Sequence, residues 1–180
     1  MKQTLLLHVC CATCAAYVLN QLQHDFEVTA YYYNPNIYPQ KEYSIRFKEV
    51  QRYCRQHGIP FIKESPDQDY WFALTKGHEQ DPERGERCTI CYRIRLQKTG
   101  EYARKNNFDF FGTDLSISPH KDAERLNAIG KELAQQLGIP YLEADFKKQD
   151  GFKKAMYISR EQGFYRQNYC GCKYSLEALK

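Results

Sequence analysis

Two helix exits written in nearly the same letters, Gln56-His57-Gly58-Ile59-Pro60 and Gln136-Leu137-Gly138-Ile139-Pro140, constrain this chain more than any other feature. Each follows an apolar stripe at helical spacing: Tyr43, Phe47, Val50 and Cys54 before the first, Leu126, Ile129, Leu133 and Leu137 before the second. A glycine after the last stripe residue ends a helix by taking the left-handed conformation, and Ile-Pro then opens an extended segment. The pattern predicts strands at 59–62 and 139–142. Thr4 to Val9 reads as another buried strand, followed by a helix from Thr13 to about His24, and Glu27 to Tyr33 as a strand closed by the turn Asn34-Pro35-Asn36. Tyr92 to Asn106 reads as a basic helix, Phe108 to Phe111 as a short strand, and Ser118-Pro119 as the cap and first-turn proline of the helix ending at Leu137. Strands that alternate with helices and are apolar on both faces imply an α/β fold, a parallel sheet with helices on both faces. In such sheets ligands sit beyond the carboxyl ends of the strands where strand order reverses, and Cys10 and Cys11 lie just past the first strand.

A chain of 180 residues fits one domain, and 42% hydrophobic with 27% charged residues excludes disordered and fibrous classes. No apolar run reaches the 18 residues a membrane span needs. Leu5-Leu6-Leu7 near the start is interrupted by His8, and a leader cut here would discard three of the eight cysteines, so a signal peptide is not expected. The expected compartment is the cytoplasm, where thiols more often bind metal or do redox chemistry than form structural disulfides. Residues 147–180 carry eight Lys and Arg against three acids, yet no Gly-, Ser- or Pro-rich linker precedes them. The expected organisation is a single domain, 1–180, with 147–180 as a basic, aromatic-rich C-terminal extension packed on it.

Cysteine spacing carries the chemistry. Cys10, Cys11 and Cys14 form one group, and Cys88 and Cys91 a second at Cys-x-x-Cys spacing. Two such pairs supply a four-thiolate shell, which suits either zinc or an iron-sulfur cluster. Adjacent side chains diverge, so Cys10 and Cys11 reach two corners of a wide cluster more easily than two vertices of a small zinc tetrahedron. A zinc knot tying the first loop to an 88–91 loop remains the rival. Cys54 lies on the apolar stripe and reads as a core residue, whereas Cys14 is either core or a spare ligand.

Cys170-Gly171-Cys172 is a different device. Two cysteines one residue apart close a small strained ring when oxidised, a bond easy to reduce and suited to electron transfer, with metal ligation or plain surface placement as the alternatives. Around the pair, Lys147, Lys148, Lys153, Lys154, Arg160, Arg166 and Lys173 interleave with Phe152, Tyr157, Phe164, Tyr165, Tyr169 and Tyr174. Cations neutralise phosphates and exposed rings stack on unpaired bases, so the segment is compatible with single-stranded RNA. A solvated helix face with aromatics in the core would give the same composition.

The chain also resembles the QueH family of epoxyqueuosine reductases. The resemblance rests on His8-Val9-Cys10-Cys11-Ala12-Thr13-Cys14, Asn34-Pro35-Asn36-Ile37 with Glu42-Tyr43 and Arg46, Glu83-Arg84-Gly85-Glu86-Arg87-Cys88 through Cys91-Tyr92, Ser118-Pro119-His120-Lys121, Asp145-Phe146-Lys147-Lys148 with Gly151-Phe152, and Tyr165 to Ser175. Thr13 departs from the proline expected there. The resemblance implies a fold similar to the adenine-nucleotide alpha-hydrolase (HUP) group, and reduction of the epoxide of epoxyqueuosine at a tRNA wobble position to the cyclopentene of queuosine. It implies a 4Fe-4S cluster on Cys10, Cys11, Cys88 and Cys91 and a redox-active pair at Cys170 and Cys172. The RNA contacts then fall to Lys147, Lys148, Lys153, Lys154, Arg166 and Lys173, with tRNA and an electron donor as partners. Cys14 and Asp114 are candidates for a second, mononuclear metal ion. Independently of the family, removing an epoxide oxygen needs an electrophile on that oxygen and two electrons, and a dithiol stores two. The rivals are a zinc-stabilised RNA-binding module without catalysis and an ATP-dependent tRNA-modifying enzyme of the same fold. The second needs a glycine-rich phosphate loop after the first strand, and no glycine precedes Gly58, so no ATP is expected.

Overall fold

The computed structural model describes residues 1–179. In chain order the elements are β1 (Gln3–His8), α1 (Ala12–Leu22), β2 (Phe26–Tyr32), α2 (Gln40–Gln56), β3 (Phe61–Lys63), α3 (Gln68–Leu74), α4 (Glu86–Lys105), β4 (Phe110–Thr113), a short 3-10 turn (Leu115–Ile117), α5 (Ala123–Leu137), α6 (Gly151–Glu161) and α7 (Lys173–Glu177). The strands form one sheet in the order β3-β2-β1-β4, every pair parallel. Register places His8 beside Tyr31 of β2 and Thr113 of β4, so these three residues mark the carboxyl ends of the central strands.

Successive strand side chains point to opposite faces, and both faces of β1 are covered. Leu5 and Leu7 join Val28, Ala30 and Tyr32 under α1 and α2, with Ala155 of α6 on the same side. Leu6 points the other way, into a cluster with Tyr31, Phe111 and the apolar residues of α4 and α5. All three leucines are fully buried, at about 1.5–3 kcal/mol each relative to exposure, which is why β1 reads as an uninterrupted apolar run. Among the described residues no helix is long and apolar enough to cross a membrane.

The parallel α/β architecture anticipated from the alternation is present. Four local expectations are corrected. The second Ile-Pro segment contributes only an isolated bridge between Phe111 and Tyr141, not a strand over 139–142. In the first, the strand begins at Phe61, because Pro60 has no N–H and serves only as the acceptor from Ala30 N. The helix ending at Leu137 is capped by Asp122, whose carboxylate accepts from Arg125 N at 3.0 Å, so Ser118-Pro119 belongs to the preceding turn. Finally α4 starts at Glu86, not Tyr92, so the Cys-x-x-Cys pair sits on a helix, not in a loop.

Gly130 of α5 faces the Tyr141 ring so closely that an added Cβ would overlap it. A Gly130→Ala substitution should lower stability by about 1–3 kcal/mol through overpacking, against the gain an exposed helical glycine would give. Chemical denaturation checks the sign.

Candidate functional site

The chain leaves β1 for β2 on one side and returns to β4 on the other, so strand order reverses between β1 and β4 and leaves a crevice at their carboxyl ends. Cys10 and Cys11 enter it directly from β1, and Asp114 and Leu115 from β4. Cys11 is the N-cap residue of α1 and makes no side-chain capping bond, which leaves its sulfur available. Its Sγ lies 3.9 Å from that of Cys10. Hydrogen bonds from Cys10 and Cys14, with the Arg46 charge adding to them, hold Cys11 well below the usual thiol range, while hydrogen bonding within the trio pushes Cys10 and Cys14 up.

Cys88 and Cys91 are three residues apart at the start of α4 and so share a helix face. Both are buried in the cluster against which Cys10 and Cys170 pack, and Cys172 belongs to it as well. The Cys170 and Cys172 sulfurs are 3.7 Å apart as free thiols, around a glycine at φ +114°. Cys172 caps α7, its sulfur accepting from Ser175 N at 3.4 Å, and Ser175 Oγ stands 3.1 Å from Cys170 Sγ. The hydrogen bond from Cys172, then the ammonium of Lys121, hold Cys170 well below the usual thiol range against the effect of burial. The same bond, reinforced by burial, pushes Cys172 up.

A cavity of about 290 Å³ joins part of this set: Cys10, Cys11, Cys14 and Cys170 line it together with Arg46, His120, Lys121, Arg166 and Gln167, whereas Cys88, Cys91 and Cys172 are not among its lining residues. Burial opposes the charge of Lys121, but the neighbouring Cys170 more than offsets it and keeps the lysine above its usual range. Asp114 is fully buried with neither carboxylate oxygen hydrogen-bonded, and burial, then the Cys11 charge, pushes its pKa well up. Among the described residues no three His, Cys, Asp or Glu side chains converge closely enough to hold one metal ion. Cys10, Cys11, Cys14 and Cys170 line one space, while Cys88 and Cys91 pack in the buried cluster beside it. Thiols faced by cations are, as a donor set, chemically suited to an iron-sulfur cluster. Cys14 and Asp114 both lie at this end of the sheet, without forming a closed three-ligand site.

The basic residues anticipated as RNA contacts divide. Lys148, Lys153, Lys154 and Arg166 are exposed, and Arg166 also lines the cavity. Lys147 is committed internally, to Asp145 at 3.1 Å and the Ser116 carbonyl at 2.9 Å, and Lys173 pairs with Glu177 at 3.8 Å. Sequence reasoning gave no role to Arg46, Arg95 or Lys121, the cations nearest the sulfurs. A visible signal existed for Arg46, a charge on an apolar helical stripe one turn after Glu42.

The family model described as Epoxyqueuosine reductase QueH matches residues 5–178. A curated protein of that name from Haemophilus influenzae is 44% identical over 174 residues, covering 96% of this chain and 71% of its own. The chain belongs to the QueH family of epoxyqueuosine reductases. Other QueH relatives include those of Acinetobacter baylyi, 41% identical over 96% of this chain and 80% of theirs, and of Thermotoga maritima, 32% identical over 96% and 90%. Among solved structures, the U34-tRNA thiolase NcsA from Methanococcus maripaludis with its [4Fe-4S] cluster aligns with a TM-score of 0.58 at 16% identity, over 98% of this chain and 64% of the thiolase. A predicted subunit of a tRNA methyltransferase from Methanocaldococcus jannaschii aligns at 0.59 and 10% identity, over 95% and 99%. These two likenesses establish the fold shared by the QueH chain and its neighbours.

With the charge on Cys170 and the proton on Cys172, brief treatment of the reduced protein with iodoacetamide near neutral pH should alkylate Cys170 first. Peptide mass spectrometry reads the order, and preferential labelling of Cys172 would contradict the assignment.

Proposed function

We propose that this chain is an epoxyqueuosine reductase acting on tRNA, removing the epoxide oxygen at the wobble nucleoside as water to leave the cyclopentene of queuosine. The observation that carries the reading is the cavity in which Cys170 of the C-terminal pair meets the Cys10-Cys11-Cys14 group. The reaction balances on the pair and Lys121. One epoxide, the Cys170 thiolate, the Cys172 thiol and the Lys121 ammonium give one alkene, one water, one disulfide and a neutral lysine, the two electrons coming from the sulfurs and the two protons from Cys172 and Lys121. Cys170, held below the usual thiol range and so the more readily ionised of the two, is the member that lines the cavity. Lys121 stands in the cavity wall, where its ammonium can stabilise negative charge on the opening oxygen and pass it a proton. An external electron donor then returns the disulfide to the dithiol.

Cys10, Cys11, Cys88 and Cys91 would hold a [4Fe-4S] cluster, as the fold neighbour NcsA carries one. When bound, it supplies electron relay and a Lewis acid. A second, mononuclear metal at Cys14 and Asp114 would give the two unpartnered Asp114 oxygens a partner. Lys148, Lys153, Lys154 and Arg166 are the phosphate contacts in this reading, since their charges face solvent on the segment that closes the cavity.

The test is anaerobic incubation of reconstituted protein with epoxyqueuosine-containing tRNA and a low-potential reductant, the nucleoside being read by mass. Loss of one oxygen is expected; an unchanged nucleoside overturns the reading. Cys170→Ser should retain the iron and sulfide content while abolishing multiple turnover, and unchanged steady-state activity would remove the pair from the reaction. Replacing Lys153 and Lys154 by glutamine should weaken tRNA binding. On single-stranded RNA it should also reduce the slope of log affinity against log salt by about 0.7 for each phosphate no longer neutralised. Titrations at several salt concentrations check it.

A further inference from the structure

We propose that Arg46 is a positioning residue that fastens the Cys170-Gly171-Cys172 loop over the Cys10-Cys11 motif. The proposal rests on the reading of Cys170 and Cys172 as the redox pair. Arg46 comes from α2, is only 2% exposed, and lines the cavity beside Cys10, Cys11 and Cys170. Its Nε donates to Glu42 Oε1 at 2.7 Å, which fixes the plane of the guanidinium. The other two nitrogens then donate to the loop backbone: Nη1 to the Cys170 carbonyl and Nη2 to the Tyr169 carbonyl, both at 3.2 Å. The Tyr169 ring lies over the same guanidinium at 5.5 Å.

The loop is pressed onto this fork. A Cβ on Gly171 would lie 3.0 Å from Arg46 Nη1 and 3.3 Å from Ile37 Cγ1, so the residue between the two cysteines has to be glycine for the approach as well as for its positive φ. On the far side Tyr38 N donates to the Gly171 carbonyl at 2.8 Å. The same face of α2 holds the preceding residues: Glu42 Oε2 accepts from Tyr165 Oη and Glu49 Oε1 from Tyr165 N, each at 2.9 Å. An arginine serving only as a salt-bridge partner would need Glu42 alone. Here two of its three polar partners are the carbonyls of Tyr169 and of the reactive Cys170 itself, a planar fork that a lysine ammonium does not reproduce.

The clamp holds the Tyr169 and Cys170 carbonyls while the sulfurs stand 3.7 Å apart. Closing that gap to a bond of about 2 Å requires the held loop to shift, so the clamp favours the dithiol form and its removal favours the disulfide. The test uses the full chain as Arg46→Lys, Arg46→Gln and Glu42→Gln, equilibrated in glutathione buffers and read by mass for the Cys170-Cys172 pair. The two arginine variants are expected to shift the equilibrium toward disulfide by at least about tenfold, the factor for losing one charge-assisted hydrogen bond. Glu42→Gln, which keeps the arginine but frees its plane, should shift it the same way by a smaller factor. Leu133→Ala on α5 serves as a control destabilised away from the site and should leave the equilibrium within about twofold of wild type. An equilibrium unchanged in the folded arginine variants, restored by lysine, or moved toward the dithiol overturns the proposal. Should Arg46→Gln not fold, Arg46→Lys and Glu42→Gln decide by the same criterion. Wild-type deoxygenation of epoxyqueuosine is measured in parallel: its absence overturns the functional reading and leaves the clamp to stand or fall on the equilibrium.

Discussion

Positive charge held out of water beside sulfur is the interaction on which this site rests. Arg95 is 3% exposed, and its neutral partners are the Cys91 carbonyl and Asn34 Oδ1, both at 3.4 Å. Among the described residues it makes no ion pair. Burying an unpaired guanidinium costs several kcal/mol, and the side chains that would offset it most, when deprotonated, are those of Cys91 and Cys10. Lys121 faces Cys170 and Arg46 faces Cys11 as well, although each also has a carboxylate partner, Glu83 at 3.6 Å and Glu42 at 2.7 Å. Three cations, from α2, α4 and the turn before α5, thus favour the anionic form of sulfur, which is the form that ligates metal or transfers electrons.

The sheet supplies the rigidity that such an arrangement needs. β1 is covered on both faces, and its end is tied to both neighbours by a fully buried histidine: His8 Nδ1 contacts Thr113 Oγ1 at 3.0 Å and Nε2 contacts the Tyr33 carbonyl at 3.1 Å. The thiols that follow begin from a fixed point. Asn34 Nδ2 donates to the Val9 carbonyl at 2.9 Å, so even the turn after β2 is used to hold the cysteine loop.

Much of this was legible in the sequence because it repeats with a period. Apolar stripes gave the helices, apolar runs gave β1 and β2, and thiols just past a strand marked the crevice. The Tyr141 segment misleads because a proline and the sheet edge limit it to one bridge. The start of α4 was hidden because its buried face, which runs through Cys88, Cys91, Tyr92, Arg95, Thr99 and Ala103, is broken by an arginine and a threonine and does not read as an apolar stripe, although glycine at an N-cap and an acid in the first turn are ordinary signals. The buried cations were hidden for a deeper reason. Arg46, Arg95 and Lys121 are charged letters in a chain rich in charge, and only the three-dimensional neighbourhood separates them from solvated ones. The tail illustrates the converse: Lys147 and Lys173 look free in the sequence, yet each is held by a partner.

The reactive pair comes from near the end of the chain, whereas the other site cysteines lie between Cys10 and Cys91. A ribosome releases the chain from its N-terminus, so the thiols of α1 and α4 emerge well before the segment that roofs them. During that interval α1 also lacks α6, whose Ser159 Oγ meets Thr13 Oγ1 at 3.1 Å in the finished molecule. The order of the chain thus puts the sulfur-lined crevice before the segment that covers it, and the docked tail narrows that crevice to a cavity of about 290 Å³.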